Sequence, residues 1–366
     1  MELAKQDQWN ESIIGRSLAD DVISESGHFL LRKGIIITHW HFPILKNHNI
    51  QEITLEKQME EPIDEQTKHL FDQELSEQYN TNLIEIKRLF QAALTKEVPS
   101  LQEFMVPFTP LLEKVLHGPD IFLGLRHIKG HDEYTYRHSI NVGLMAATIG
   151  KILNLPYRTS LKLAEIGFIH DIGKMKVSLQ VLNKEGPLTK EEFEEVKMHT
   201  IYGKEILQQM QGKDQTLMDG TLYHHERLDG SGYPLGLMRG NITFLTQIIS
   251  VADTYDAMSS ERVYQTKRSP FDALDELVKE VYRGKLNGEI VFPFVDHILR
   301  GYIGHEVELT DGRKGHIIQL FKEEINRPLI KIKSEFVNLR EARHLHIKEV
   351  ALLPKKGVVF QTPTNS

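Results

Sequence analysis

Apolar residues along 137–153 recur with the period of a helix: His138, Val142, Met145, Ile149 and Ile152 stand at intervals of 4, 3, 4 and 3. That spacing puts all five on one face. A second apolar stretch, Leu161 to Ile169, runs directly into His170-Asp171. Further on, Thr189 with Glu192 forms a capping box and Leu188 with Phe193 a hydrophobic staple, so a helix starts there; it carries His199 on the face of Val196 and Ile206. After a polar stretch, 212–220, a helix end at Tyr223-His224-His225 runs into a loop marked by Gly230, Gly232, Pro234 and Gly236. A mostly apolar helix follows from Phe244 to Met258, with Asp253 inside it and Asp256 one turn later. Amphipathic helices over 271–281 and 292–299 complete the series.

The period changes on both sides. In residues 1–58, Val22-Ile23 and His28 to Leu31 flank the turn Glu25-Ser26-Gly27, Ile35-Ile36-Ile37 follows Gly34, a short helix is expected over 40–46, and Glu52 to Leu55 reads as a strand. An acidic, polar stretch then leads into helical spacing broken at Pro99, Pro107 and Pro110, so 59–110 reads as a helical linker with leading helices. Residues 111–300 are the main helical domain. From 301 to 353 the pattern is again β, with a hairpin at Asp311-Gly312 and strands over 329–332 and 347–353, and 354–366 is a tail.

Composition narrows the chemistry. The 366 residues contain no cysteine, which excludes thiolate metal sites and leaves His, Asp, Glu and water as ligands. A net charge of -7 argues against a broad surface for a DNA or RNA duplex, while local cations can still hold a small anion. No long apolar run or leader pattern is present, so a cytoplasmic protein without a membrane span is expected.

Against this background His138, His170, Asp171, His199, His224, His225 and Asp253 stand out. Each lies in or at the end of a helix among apolar residues, and successive elements are 25 to 32 residues apart. Taken singly, each has a plain alternative: a hydrogen-bonded core histidine, a histidine at a helix C-terminus, a buried acceptor. Together they would be hard to satisfy without cations, and facing helices build two-metal sites from such groups.

His170-Asp171-Ile-Gly-Lys174, with His138 before it and His199, His224-His225 and Asp253 after it, resembles the HD superfamily of metal-dependent phosphohydrolases. The run from His224 through Gly232-Tyr233-Pro234 resembles its HD-GYP subgroup of cyclic-di-GMP phosphodiesterases. The resemblance implies a mainly α protein: a helical HD-type domain flanked by small β-rich N- and C-terminal modules. It also implies two divalent metal ions, iron or manganese. His138, His170, Asp171 and Asp253 would hold one, and Asp171 would bridge to a second held by His199, His224 and His225. A metal-bridging hydroxide would open cyclic-di-GMP to linear pGpG, with GMP as a further product. Lys174, Arg227, Tyr233 and Arg262 are the expected substrate contacts, and Asp229 is expected to orient the loop. Protein partners would dock at the Gly232-Tyr233-Pro234 loop and the terminal modules.

Two departures matter. The family commonly has a second basic residue where this chain has Gln265, with Lys267 and Arg268 as candidates to replace it. Some members place a glutamate four residues before the first motif histidine, where it helps to hold a third metal; here that residue is Tyr134, and two metals are expected, with Glu133, Asp132 and His131 the weaker extra candidates. The alternatives are a cyclic-dinucleotide-binding effector with little turnover, or the same hydrolysis on another cyclic dinucleotide.

Overall fold

The computed structural model describes residues 2–350 apart from 7–8, 10–12, 14–15, 17, 25–28, 32, 34–36, 38–40, 56–64, 96, 118–133, 185, 260–269, 322–323 and 325. The expected turn at Glu25-Ser26-Gly27, the run Ile35-Ile36 and the tail lie outside these. The chain divides into two compact units, Met1–Pro62 with Tyr302–Ser366, and Ile63–Gly301.

In the first unit, β1 (Glu2–Lys5) pairs antiparallel with β4 (Glu52–Leu55), and β2 (Val22–Ile23) with β3 (Phe29–Leu31). Between them α1 covers His41–Asn47. Strand β1 is too short and mixed to read from pattern; a strand some fifty positions away gives it its partner. The C-terminal strands are β5 (Glu306–Leu309), β6 (Lys314–Gln319), β7 (Leu329–Ile332), β8 (Glu335–Asn338) and β9 (Ile347–Val350), and they form one antiparallel sheet in the order β8-β7-β6-β5-β9. Edge strand β8 had no sequence signal, because none of its side chains is buried.

The terminal segments, expected as two modules, group in one unit. Buried His41 hydrogen-bonds through Nε2 to the Ile318 carbonyl at 3.0 Å, and Ile303 packs on the core around Leu18, Leu31, Leu45 and Leu55. Such pairing across the chain leaves no local trace in the sequence.

The second unit is helical. Its elements are α2 (Glu65–Ala92), α3 (Leu101–His117), α4 (Tyr134–Ile152), α5 (Tyr157–Ile169), a 3-10 turn (Ile172–Lys176), α6 (Leu179–Leu182), α7 (Lys190–Lys197), α8 (His199–Gln209) and α9 (Gln215–Tyr223). After the loop come α10 (Phe244–Ser259), α11 (Pro270–Tyr282) and α12 (Gly288–Arg300). The expected linker thus belongs to this unit: α2 is continuous, and α3 contains Pro107 and Pro110 instead of breaking at them. Each proline costs about 3 kcal/mol in a helix interior. Full burial of Phe104, Phe108, Leu111 and Leu112 outweighs that, at about 1.5–3 kcal/mol per side chain.

Those aromatics position the site. Phe168, in the last turn of α5, stacks on Phe108 with ring centroids 4.3 Å apart and meets Phe90 edge-on at 5.8 Å. Two residues later the chain reaches His170-Asp171.

Two further expectations change. The helix capped by Thr189 has both halves of its capping box, but it ends at Lys197, and His199 opens a new helix, α8. The polar stretch 212–220 is mostly helix, because Asp214 caps α9 by accepting from the Leu217 amide at 2.9 Å.

Candidate metal centre

The structure brings His138, His170, Asp171, His199, His224, His225 and Asp253 together from α4, the ends of α5 and α9, the start of α8, and α10. Close backbone packing makes this possible at Gly173. A side chain there would place its Cβ 1.9 Å from the His199 carbonyl oxygen, so the turn after Asp171 lies directly against the first turn of α8.

Three imidazoles are aimed by the helix turn that precedes them. The Nδ1–H groups of His170, His199 and His224 donate to the carbonyls of Gly167, Val196 and Thr221, each three residues back, at 2.6, 2.6 and 2.9 Å. His138 is aimed differently, its Nδ1–H donating to Asp256 Oδ2 at 2.7 Å. A neutral imidazole with its Nδ1 proton so used presents an Nε2 lone pair. His138 Nε2 lies 3.1 Å from Asp253 Oδ1 and 3.4 Å from Asp171 Oδ2; His170 Nε2 lies 3.3 Å from Asp171 Oδ2. On the other side, His199 Nε2 is 3.2 Å and His224 Nε2 3.8 Å from Asp171 Oδ1. Asp171 therefore turns one oxygen to each group. Asp253 reaches both sides, since its Oδ2 is 3.6 Å from His225 Nδ1.

The donor set fits cations. His199 and His224 face each other through Nε2 at 3.3 Å, with both ring protons already committed elsewhere. Buried His170 Nε2 and Asp171 Oδ1 have no hydrogen-bond partner. Lone pairs that converge in a buried pocket without protons between them call for positive charge. Ligand atoms of Asp171, His199, His224 and His225 lie within 4.8 Å of one another, as do those of His138, His170 and Asp171.

Protonation agrees on one side and differs on the other. Burial drives His199 down to about 4, and burial with neighbouring imidazoles holds His224 and His225 well below the usual histidine range. All three are therefore neutral and ready to ligate. Burial pushes the Asp171 carboxyl up, but His170 and Lys174 outweigh it and keep it well below the usual range; for Asp253 the hydrogen bond from His138 does the same. His138 is the exception: burial lowers it, yet Tyr134 and the carboxylates of Asp171, Asp253 and Asp256 reverse this and raise it. A divalent ion held there would take the place of that proton.

Of the expected substrate contacts, Lys174 ion-pairs with Asp171 Oδ2. Arg227 donates to the carbonyls of His224 and Glu226 at 3.2 and 3.0 Å, bracing the His224–Glu226 segment. Tyr233, before a cis peptide to Pro234, stacks on His225 with centroids 4.6 Å apart. Asp229 caps the turn at Ser231. Arg262, Gln265, Lys267, Arg268, His131, Asp132 and Glu133 lie outside the described residues.

Sequence reasoning missed Asp256 as the anchor of His138, and Glu226 as the anchor of the loop. Buried Glu226 accepts from the amides of Leu235 and Leu237 at 2.7 and 2.9 Å. A glutamate next to a histidine pair in a helix-end motif was the available signal. At Gly232 a Cβ would fall 2.4 Å from the Arg227 amide nitrogen, so the loop folds back on the His225–Arg227 segment only with glycine there.

Residues 125–290 match the family described as HD domain. That stretch, 166 of the 366 residues, is similar to HD domains. Over 218 residues the chain is 33% identical to a cyclic di-GMP phosphodiesterase of Pseudomonas aeruginosa, which covers 60% of this chain and 52% of that protein. It is 30% identical over 189 residues to the 3'3'-cGAMP-specific phosphodiesterase 1 of Vibrio cholerae, covering 50% of this chain and 44% of that protein. The chain thus spans about half the length of these curated relatives. Among solved structures, an HD-GYP-type protein from Bdellovibrio bacteriovorus shares the fold at 15% identity and a TM-score of 0.51, covering 81% of this chain and 99% of that one. Among the described residues no helix is long and apolar enough to cross a membrane.

Proposed function

We propose that this chain is a phosphodiesterase that hydrolyses cyclic-di-GMP to linear pGpG, with GMP as a further product. The observation that carries the proposal is the buried pocket centred on Asp171, whose two oxygens face two groups of imidazoles. Two divalent ions, iron or manganese, when bound there supply Lewis acidity and activate water. His138, His170, Asp171 and Asp253 would hold one ion, and Asp171, His199, His224 and His225 the other. Lys174, whose ammonium burial would lower but Asp171 and Tyr134 keep charged, is placed to neutralise a phosphate oxygen on leaving Asp171. In this reading Tyr233 offers a flat ring to a guanine base, Arg227 holds the ligand segment close to the substrate, and Arg262 contacts a phosphate. The loop and the terminal segments meet protein partners.

The relative named for cyclic di-GMP supports the substrate, and the one named for 3'3'-cGAMP motivates the second reading, the same hydrolysis on another cyclic dinucleotide. The test is chromatography of both dinucleotides after incubation with anaerobically prepared, iron- or manganese-loaded protein, beside His170→Ala and Asp171→Ala. Metal-dependent pGpG formation lost in both variants is expected. Product from 3'3'-cGAMP alone would move the substrate to the second reading. Tight binding without product would make the chain an effector.

A further inference from the structure

The anchor of His138 is itself held by a chain of side chains that ends on a different helix, in the segment the sequence assigned to a linker. Asp256 takes the His138 Nδ1–H on Oδ2 at 2.7 Å and the Asn141 amide on Oδ1 at 3.0 Å. Because a carboxylate oxygen can only accept, the Asn141 NH2 must face Asp256, and its carbonyl oxygen then faces α2. There the Tyr79 hydroxyl donates to Asn141 Oδ1 at 3.0 Å, with the Arg137 carbonyl at 3.2 Å as its other acceptor. Tyr79, His138 and Asp256 are all buried, at 1%, 2% and 1% exposure. Each polar atom in this line is thus oriented by the next, and the line ends on the Nε2 lone pair of a metal ligand.

We propose that Tyr79 and Asn141 are positioning residues for the first metal site, acting through Asp256 on His138. The inference rests on the metal-centre reading above and extends it to α2. In water an imidazole or a carboxylate turns freely; here the Asn141 amide on its second oxygen helps to hold the plane of Asp256 toward His138. Removing that amide takes away one of the bonds that fix the carboxylate. Removing the Tyr79 hydroxyl alone leaves the Asn141–Asp256 bond in place but takes away the donor that holds the Asn141 carbonyl oxygen. The two changes should therefore act on the same metal site with graded strength, and should spare the His199–His224–His225 side, where backbone carbonyls aim the rings of His199 and His224.

The test is a manganese titration of the full chain, counting free ion by electron paramagnetic resonance, with a thermal melt of each metal-free protein. Asn141→Leu, close in size, is expected to weaken one of the two sites about 10- to 100-fold, the range for partners of a metal ligand. Tyr79→Phe is expected to weaken the same site less, on the order of threefold to tenfold. Thr148→Val is the control: Thr148 is buried on the same helix and donates only to the Leu144 carbonyl at 2.8 Å, so its loss lowers the melting temperature without touching the line. Manganese affinity unchanged in Asn141→Leu and Tyr79→Phe, or lowered equally in Thr148→Val, would overturn the proposal. If Asn141→Leu fails to fold, Tyr79→Phe against Thr148→Val decides alone. A wild-type protein that binds no manganese or iron overturns the metal-centre reading itself, an outcome distinct from equal affinities among variants.

Discussion

The histidines of the centre are aimed by two different means. His170, His199 and His224 are each tied to a carbonyl three residues back, so the helix end that precedes the ring also aims it. His138 is aimed by Asp256, 118 residues away in sequence and on another helix. A locally aimed ligand survives wherever its helix end forms. A remotely aimed one depends on the packing of α4, α10 and α2 together, which makes that side the one through which the rest of the unit can act on the metal.

Asp171 turns one oxygen to each imidazole group, and its substitution is the largest break available. Asp171→Asn keeps the shape but removes the charge shared by both imidazole groups. Hydrolysis is expected to fall by on the order of 10³-fold, since Lewis-acid stabilisation is worth several kcal/mol and each 1.36 kcal/mol is tenfold. Metal analysis of the purified variant, showing under one ion per chain, is the check. A variant with both ions retained and full activity would remove the bridging role.

The same contrast explains what could be read in advance. A histidine that ends an apolar helical run, such as His170 after Ile169 or His224 after Tyr223, stands out in its own neighbourhood, and the seven residues that the fold brings together were all singled out in the sequence. The motif resemblance added their grouping. The partners of His138 were not legible, because Asp256, Asn141 and Tyr79 are ordinary polar residues until folding puts them in a line. The helix through Pro107 and Pro110 was hidden for a related reason: local cost was plain, and the aromatic packing that exceeds it is tertiary. Likewise nothing around His41 announces Ile318.

The loop offers a smaller break, one that should leave both metals in place. Glu226→Gln keeps one carbonyl oxygen for two amides, so either Leu235 or Leu237 loses its acceptor. A cost of about 1–3 kcal/mol is expected for an unmet buried donor. Because the loop carries Tyr233 onto His225, the Michaelis constant should rise about tenfold, matching roughly 1.4 kcal/mol, with metal content unchanged. Loss of metal with no change in the Michaelis constant would mean that Glu226 serves the ligands and not the loop.

The smallest effect isolates the locally built side. Asp214 caps α9, the helix that ends on His224, and pairs with Lys162 at 2.8 Å. Asp214→Ala should cost about 1 kcal/mol through the lost cap, with little added from a pair this exposed. For a unit of this size that is a fall of about 2–4 °C in melting temperature. Burial raises the Asp214 carboxyl, but Lys162 and the Leu217 amide outweigh it, so its folded pKa lies below its unfolded one. The stabilisation is then fully present above the unfolded value of about 3.9, and is lost as pH falls through the folded value. Melting curves of wild type and Asp214→Ala should therefore differ at neutral pH and converge in acid. Manganese binding on the His199–His224 side should weaken slightly in the variant while the His138 side holds. Equal weakening of both would show that the two sides, however differently aimed, respond as one.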